Sequence, residues 1–254
     1  MEPDTRDRTK LTDKELLTQF TSLRDEDAFA ELIERHGPMV ARVCQQTLVC
    51  EQDWEDAFQA VFLVLARKAR SVAWQNSIAN WLYGVAWRIS RRANRRQAIQ
   101  IERTHAMEDL AENNDHSSTA ADAAEQLLYP ALYKLGDKYR EPIILCHLQG
   151  KTRSEAAEEL GVTESIVKGR LERGREMLRK VLAKNGAGTL SLLASGLLVS
   201  RVAHATLPRT ATTSLTRAST EFANEEMAGA EEGSMEFFQR IRRLNNGCST
   251  DLRN

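Results

Sequence analysis

Glycine and proline are scarce in this sequence, with 13 and 5 residues in a chain of 254. The strict alternation of apolar and polar residues that marks a half-buried strand is missing as well. These two absences exclude a turn-rich β-protein. Hydrophobic residues make up 42% of the chain, which is enough to build a core. The sequence therefore predicts an all-α fold.

Cysteine and net charge are also low. The four cysteines form no Cys-x-x-Cys pair, and no histidines stand at zinc-binding spacing. We therefore expect reduced thiols, no bound metal and no cofactor in a cytoplasmic protein. The charged segment 1–10 lacks the apolar core of a signal peptide. Because the net charge is only −1, any affinity for DNA must be local.

Signatures of catalysis are missing too. The sequence contains no nucleophile elbow, no phosphate-binding loop and no metal-spaced set of His, Asp and Glu. His36 precedes Gly37 and Pro38, a context that predicts a helix end rather than a general base. We expect no enzymatic activity.

Composition divides the chain into four segments. Residues 11–100 form a dense run of amphipathic helices, and 101–122 form a polar, acidic linker. A second helical unit covers 123–184, and an extension of unknown role covers 185–254. Within that extension, the uncharged stretch 187–200 is shorter than the roughly 20 residues of a membrane-spanning helix, so no stable membrane insertion is expected.

The most informative motif is the run 150–182, GKTRSEAAEELGVTESIVKGRLERGREMLRKVL. Thr152 and Glu155 predict a capping box, and Gly161 predicts the end of that helix. A second helix follows, with a buried stripe predicted at Val167, Leu171, Gly174 and Leu178. Two helices joined by so short a turn are typical of the helix-turn-helix, which places its second helix in the DNA major groove.

The second helix of this motif is basic outside its buried stripe. Residues near its start reach base edges in such motifs, so Glu164, Ser165 and Lys168 are the predicted base contacts. Arg170, Arg173 and Arg175 are the predicted phosphate or mixed contacts. The alternative is a basic amphipathic helix that is merely solvated.

The segment 53–68, DWEDAFQAVFLVLARK, has a complete helical core face. Leu63 and Val64 lie outside that face, beside Asp56 and Gln59. Apolar surface in excess of one core suggests a protein partner. A helix buried on two sides within its own domain explains the pattern equally well.

The segment 80–97, NWLYGVAWRISRRANRRQ, predicts a helix with an arginine row formed by Arg88, Arg91, Arg92 and Arg95. Trp81 projects close to this row, and Trp87 falls roughly opposite the apolar side. An exposed aromatic ring beside arginines can stack an unpaired base while the arginines hold phosphates. Core packing is the alternative for both tryptophans.

Together these runs, with DAFAELIERHGPMVARVC and LYKLGDKYREPIILCHLQGKT, resemble conserved regions two and four of bacterial extracytoplasmic-function sigma factors of the sigma-70 family. The resemblance covers residues 11 to about 184. It implies a subunit that binds core RNA polymerase and directs it to promoters. It also leaves open an anti-sigma factor as a further partner.

The resemblance assigns roles to three surfaces. Polymerase binding would fall on Asp53, Asp56, Gln59, Leu63 and Arg67. The minus-ten element, duplex and then single-stranded, would meet the arginine row, both tryptophans and a preceding loop with Arg70, Trp74, Gln75 and Asn76. The minus-thirty-five element would meet the second helix of the helix-turn-helix.

A second class of protein remains open from the residues alone. A helix-turn-helix regulator that binds duplex DNA without joining polymerase would explain 150–182. It would not explain an exposed Trp87 beside the arginine row, nor the excess apolar surface at Leu63 and Val64. For the extension 185–254, one hypothesis is that it partly masks the arginines of the basic helix. The other is that it is a disordered appendage with a short partner-binding helix.

Overall fold

A computed structural model of the chain describes residues 8–70, 77–105 and 120–184, with side chains described within 8–70, 77–99 and 127–184. Every regular element within these ranges is helical, which confirms the all-α prediction. None of the described helices combines the length and the apolar content needed to cross a membrane.

The first unit contains a short 3-10 turn and four helices: Arg8–Lys10, α1 (Asp13–Leu23), α2 (Glu26–Gln45), α3 (Glu51–Lys68) and α4 (Ala79–His105). Helix α2 packs against α1, α3 and α4, and α3 also packs against α4. Local chemistry begins the first two helices. Thr12 and Glu15 form a capping box at α1, and the Asp25 carboxylate accepts the first amides of α2.

Helix α2 runs through Pro38, so the prediction that His36 stands at a helix end is wrong. A proline inside a helix removes one backbone donor, which leaves the carbonyl four residues earlier without its partner. That carbonyl belongs to Glu34, and both Glu34 and Pro38 are exposed, so water can replace the missing donor. His36 lies on the opposite side and is fully buried.

The second unit comprises α5 (Ala120–Tyr133), α6 (Asp137–Ile143), a π-helical turn (Ile144–Leu148), α7 (Arg153–Leu160) and α8 (Glu164–Lys184). Helix α8 is its centre and packs against α5, α6 and α7. The predicted capping box of Thr152 and Glu155 is confirmed, and Gly161 ends α7 with a φ of 62°. This left-handed conformation suits glycine, which has no Cβ to clash.

The two units are in contact. Helix α4 packs against α5, α6 and the π-helical turn. The Tyr83 hydroxyl donates to the Tyr129 carbonyl at 2.7 Å, and Arg140 donates to the Asn80 side chain at 2.7 Å. The central part of the predicted linker, 106–119, and the whole extension 185–254 lie outside the described residues.

Candidate functional site

Helix α8 is held by its predicted buried stripe. Val167, Leu171 and Leu178 are buried, and Gly174 faces α6. A Cβ at Gly174 would stand 2.8 Å from the Ile143 Cδ1 atom and 3.2 Å from the Tyr139 carbonyl oxygen, so any larger residue would require its neighbours to shift. With this stripe turned inward, the opposite face of α8 points away from the core.

The first turns of α8 are exposed, as a groove-contacting helix requires. Glu164, Ser165 and Lys168 are all exposed. The Ser165 hydroxyl lies 3.0 Å from that of Thr163, and Glu164 lies 3.8 Å from Arg153. The Arg153–Glu164 pair is solvent-exposed and therefore weak, so Glu164 can be released to another partner at little cost.

The three predicted phosphate contacts differ in their surroundings. Arg173 is exposed, whereas Arg170 and Arg175 are half-buried. Arg175 donates to the Nε2 atom of His147 at 2.9 Å, so in this structure it is tied to the π-helical turn. Its role in DNA binding stays a prediction and requires that the guanidinium leave His147.

The arginine row of α4 lies on the surface. Arg88, Arg91, Arg92 and Arg95 are exposed on consecutive turns of the helix. Four guanidinium groups on one helix produce a local positive field in a chain whose net charge is near zero. Trp81 is half-buried beside the row.

Trp87 does not belong to this surface, and the prediction that it is exposed is wrong. Its side chain is 8% exposed, and its ring centroid lies 6.0 Å from that of Tyr133 in α5. The second unit covers the side of α4 that faces away from the first core. Trp87 therefore packs in the interface between the two units, which we call the seam.

The loop before α4 is described only at its ends. Arg70 is exposed, and its Nη2 atom donates to the Thr21 carbonyl at 2.8 Å. Trp74, Gln75 and Asn76 lie outside the described residues.

On α3, the prediction of excess apolar surface fails at Leu63. This residue is 4% exposed and belongs to the core, which corresponds to the alternative of a helix buried on two sides. The other predicted polymerase contacts, Asp53, Asp56, Gln59 and Arg67, are partly exposed. Asp53 accepts a hydrogen bond from the Gln97 side chain.

The start of α3 is crowded with carboxylates. Burial raises the pKa of Glu55, and the neighbouring Glu51 and Asp56 raise it further. A carboxylate cluster of this kind needs either solvent or a basic partner. Among the described residues, no group of three or more His, Cys, Asp or Glu side chains is arranged to hold a metal.

Two family models match the chain in sequential order. "Sigma-70 region 2" matches residues 32–99, from α2 to α4, and "Sigma-70, region 4" matches 125–178, from α5 to α8. The relatives include the ECF RNA polymerase sigma factor SigM of Mycobacterium tuberculosis, 26% identical over 71% of this chain and 90% of that protein. SigW of Bacillus subtilis is 25% identical over 62% of this chain and 90% of its own length. The chain belongs to the extracytoplasmic-function branch of the sigma-70 family.

Among solved structures, CnrH in complex with the cytosolic domain of CnrY matches this sigma-70 family chain with 25% identity and a TM-score of 0.35. The match covers 68% of this chain and 97% of CnrH. In the present chain, region 2 carries α3 and the arginine row, and region 4 carries the helix-turn-helix.

Sequence reasoning did not reveal the contacts between the two regions of this family member, among them one at His36. His36 of region 2 is bonded on both sides, by Asp13 at 2.8 Å and by the Gln149 side chain at 2.7 Å. Gln149 lies directly before the helix-turn-helix and is 113 residues away in sequence. No local pattern could have revealed this pairing.

Proposed function

We propose that this chain is the sigma subunit of a bacterial RNA polymerase: it binds the core enzyme, recognises promoter DNA and promotes strand opening. The observation that carries this conclusion is the ordered match of regions 2 and 4 on one chain. A regulator that only binds duplex DNA needs region 4 but not region 2. As an initiation factor it would act where polymerase and DNA are, in the cytoplasm, without catalysis of its own.

Run-off transcription tests this function directly. Purified core polymerase with this chain should produce a promoter-dependent transcript that core polymerase alone does not. Gel filtration with core polymerase distinguishes the two classes of protein, because only a sigma subunit should co-elute. Duplex binding without co-elution would instead identify the chain as a helix-turn-helix regulator. We also propose an anti-sigma factor as a further partner, on the ground of family membership.

For polymerase binding we propose the partly exposed face of α3 formed by Asp53, Asp56, Gln59 and Arg67. Acidic groups on this face would attract a basic patch on the core enzyme. Asp56→Arg should weaken the complex about tenfold, the effect of losing one significant interface contact. Glu34→Arg, on an exposed turn of α2, makes the same charge change and should leave the affinity unaltered. Equal effects of the two variants would exclude this surface.

For the minus-ten element we propose the arginine row with Arg70 and Trp81. Trp87 could contact an unpaired base only after α5 has moved away, so the arginines provide the direct test. Arg91→Ala combined with Arg95→Ala should reduce promoter opening, measured by permanganate reactivity of unpaired thymines, more than it reduces duplex binding. Lys14→Ala on α1 is the control for charge removal. An unchanged permanganate pattern in the double variant would overturn the assignment.

For the minus-thirty-five element we propose the first half of α8, with Glu164, Ser165 and Lys168 at base edges and Arg173 on a phosphate. Arg173→Ala should flatten the log–log salt dependence of binding by about 0.9 and preserve sequence preference. Arg170, which is half-buried, stays a candidate for the same role, and Arg175 would join only after release from His147.

A further inference from the structure

In the first half of α8, two residues of the outward face are apolar, in contrast to the charged residues around them. Ile166 is 43% exposed, although large aliphatic side chains are usually buried. Gly169 follows three residues later and therefore lies next to Ile166 on the helix surface. We refer to Ile166 and Gly169 together as the apolar notch. Arg173, four residues beyond Gly169, lies next to it on the helix surface and is exposed.

Gly169 is not required by the fold. A Cβ built on it would meet no atom within 4 Å, and its φ is not in the left-handed region. Gly174 on the same helix is different, because its Cβ would contact Ile143 at 2.8 Å and the Tyr139 carbonyl at 3.2 Å. Glycine inside a helix is destabilising relative to alanine. Among the described residues, no contact gives a reason for a glycine at position 169.

A close approach by another molecule supplies that reason. Glycine lets a neighbouring group come within contact distance of the helix backbone. The groove-facing half of α8 is where, under the proposed function, promoter DNA approaches. Thymine is the base that presents a methyl group in the major groove, and proteins recognise it by apolar contact.

We propose that the apolar notch of Ile166 and Gly169 receives the 5-methyl group of one thymine in the upstream promoter element. This proposal rests on the proposed function of α8 in duplex recognition. The methyl group contacts the Ile166 side chain and occupies the space that a Cβ at position 169 would fill. Arg173 lies one turn further along α8, where it can contact a phosphate of the DNA backbone next to that thymine.

The test needs a duplex and its methyl-deficient copies. A duplex is selected from a random library by the complex of the full chain with core polymerase. It is then resynthesised with deoxyuridine in place of each thymine in turn. At one position, loss of the methyl should weaken wild-type binding about threefold to fourfold, the effect of one buried methyl-sized group.

Variants of the notch should change this preference in a specific way. Gly169→Ala places a Cβ where the methyl belongs, so this variant should bind the deoxyuridine duplex better than the thymine duplex. Ile166→Ala should bind the two duplexes equally. Met177→Ala is the matched control, because Met177 is 40% exposed on the same helix but lies about three turns further along. It should keep the wild-type preference.

The outcomes separate the notch from the proposed function. If no duplex is bound and no transcript forms, the proposed function itself fails. If the wild type binds every deoxyuridine duplex as well as the parent, the notch does not recognise thymine. A uniform loss of affinity in Gly169→Ala, with the methyl preference intact, would also overturn the proposal. This variant should melt at or above the wild-type temperature, and a lower value would show that Gly169 is structural.

Discussion

The hydroxyl of Tyr83 in region 2 donates to the backbone carbonyl of Tyr129 in region 4, with the two oxygens 2.7 Å apart in a buried seam. The two rings are stacked, with centroids 6.4 Å apart. Burial raises the pKa of Tyr83 well above its ordinary value, so the phenol keeps its proton and remains a donor. This bond joins the two regions in the described structure.

Tyr83→Phe should therefore loosen the seam. The substitution keeps the ring and removes one buried hydrogen bond, which costs about 1 kcal/mol. Chemical denaturation should show this loss, and hydrogen exchange should rise in α4 and α5. Tyr139→Phe is the control, since Tyr139 lies on α6 and, within the part of the chain that the structure describes, its hydroxyl makes no hydrogen bond to region 2. Unaltered hydrogen exchange in α4 and α5 would mean that this hydrogen bond does not stabilise the contact between the two regions.

Asp13 should make the stability of region 2 depend on acidity. Burial alone would raise the pKa of its carboxyl, but His36, the Ile78 amide and Arg35 outweigh burial and hold it well below its ordinary value. Because the pKa of the folded state is depressed, the stabilisation is complete above the unfolded value of about 4 and is lost as pH falls below it.

Asp13→Asn should cost about 3 kcal/mol near neutral pH, the loss expected when one partner of a buried charged pair is removed. The difference from wild type should shrink below about pH 4, where the wild-type carboxylate begins to lose its own contribution. Urea denaturation at several pH values measures this difference in the free energy of unfolding. Glu34→Gln, at an exposed position, is the control. A difference that is constant down to pH 3 would contradict this account.

Gly174→Ala should destabilise region 4. Its new Cβ would overlap the Ile143 Cδ1 atom and press on the Tyr139 carbonyl, which belongs to the backbone and cannot easily move. Overpacking of this kind costs about 1–3 kcal/mol, partly offset by the better helix propensity of alanine. Adding Ile143→Val removes the overlapping Cδ1 atom and should restore part of the melting temperature. No recovery in the double variant would point to the carbonyl as the main obstacle.

Leu63→Asp should unfold region 2 rather than act only on polymerase binding. The residue is 4% exposed, and a carboxylate in that position would be buried without a partner. Circular dichroism should show loss of helix, and Leu63→Ala should cost about 2–5 kcal/mol. A folded Leu63→Asp protein that fails to bind core polymerase would instead place Leu63 on the interface.

The helix-turn-helix was predictable because its determinants are local. Thr152 and Glu155 cap α7 within one turn, Gly161 ends that helix through its own backbone, and the buried stripe of α8 follows from helical spacing. Each of these interactions joins residues close in sequence, so it leaves a pattern in the amino-acid order. The family resemblance drew on the same patterns.

For residues outside the main apolar stripe of a helix, burial was not predictable from local patterns. An amphipathic pattern shows which face of α3 or α4 enters the first core, but not whether a second element covers another face. Trp87 is covered by Tyr133, 46 residues away, and Leu63 is buried where the pattern suggested excess surface. For the same reason, His36 could not be matched with Gln149.

The sequence by itself determined the helical segments, the cap and the end of α7, the basic face of α8 and the arginine row of α4, because caps and helical periodicity act within a few residues. Only the tertiary structure decided that Trp87 and Leu63 are buried, that α2 continues through Pro38, and that regions 2 and 4 share a seam. Those outcomes depend on which distant surfaces meet, and that is settled by packing across the whole chain rather than by any local pattern.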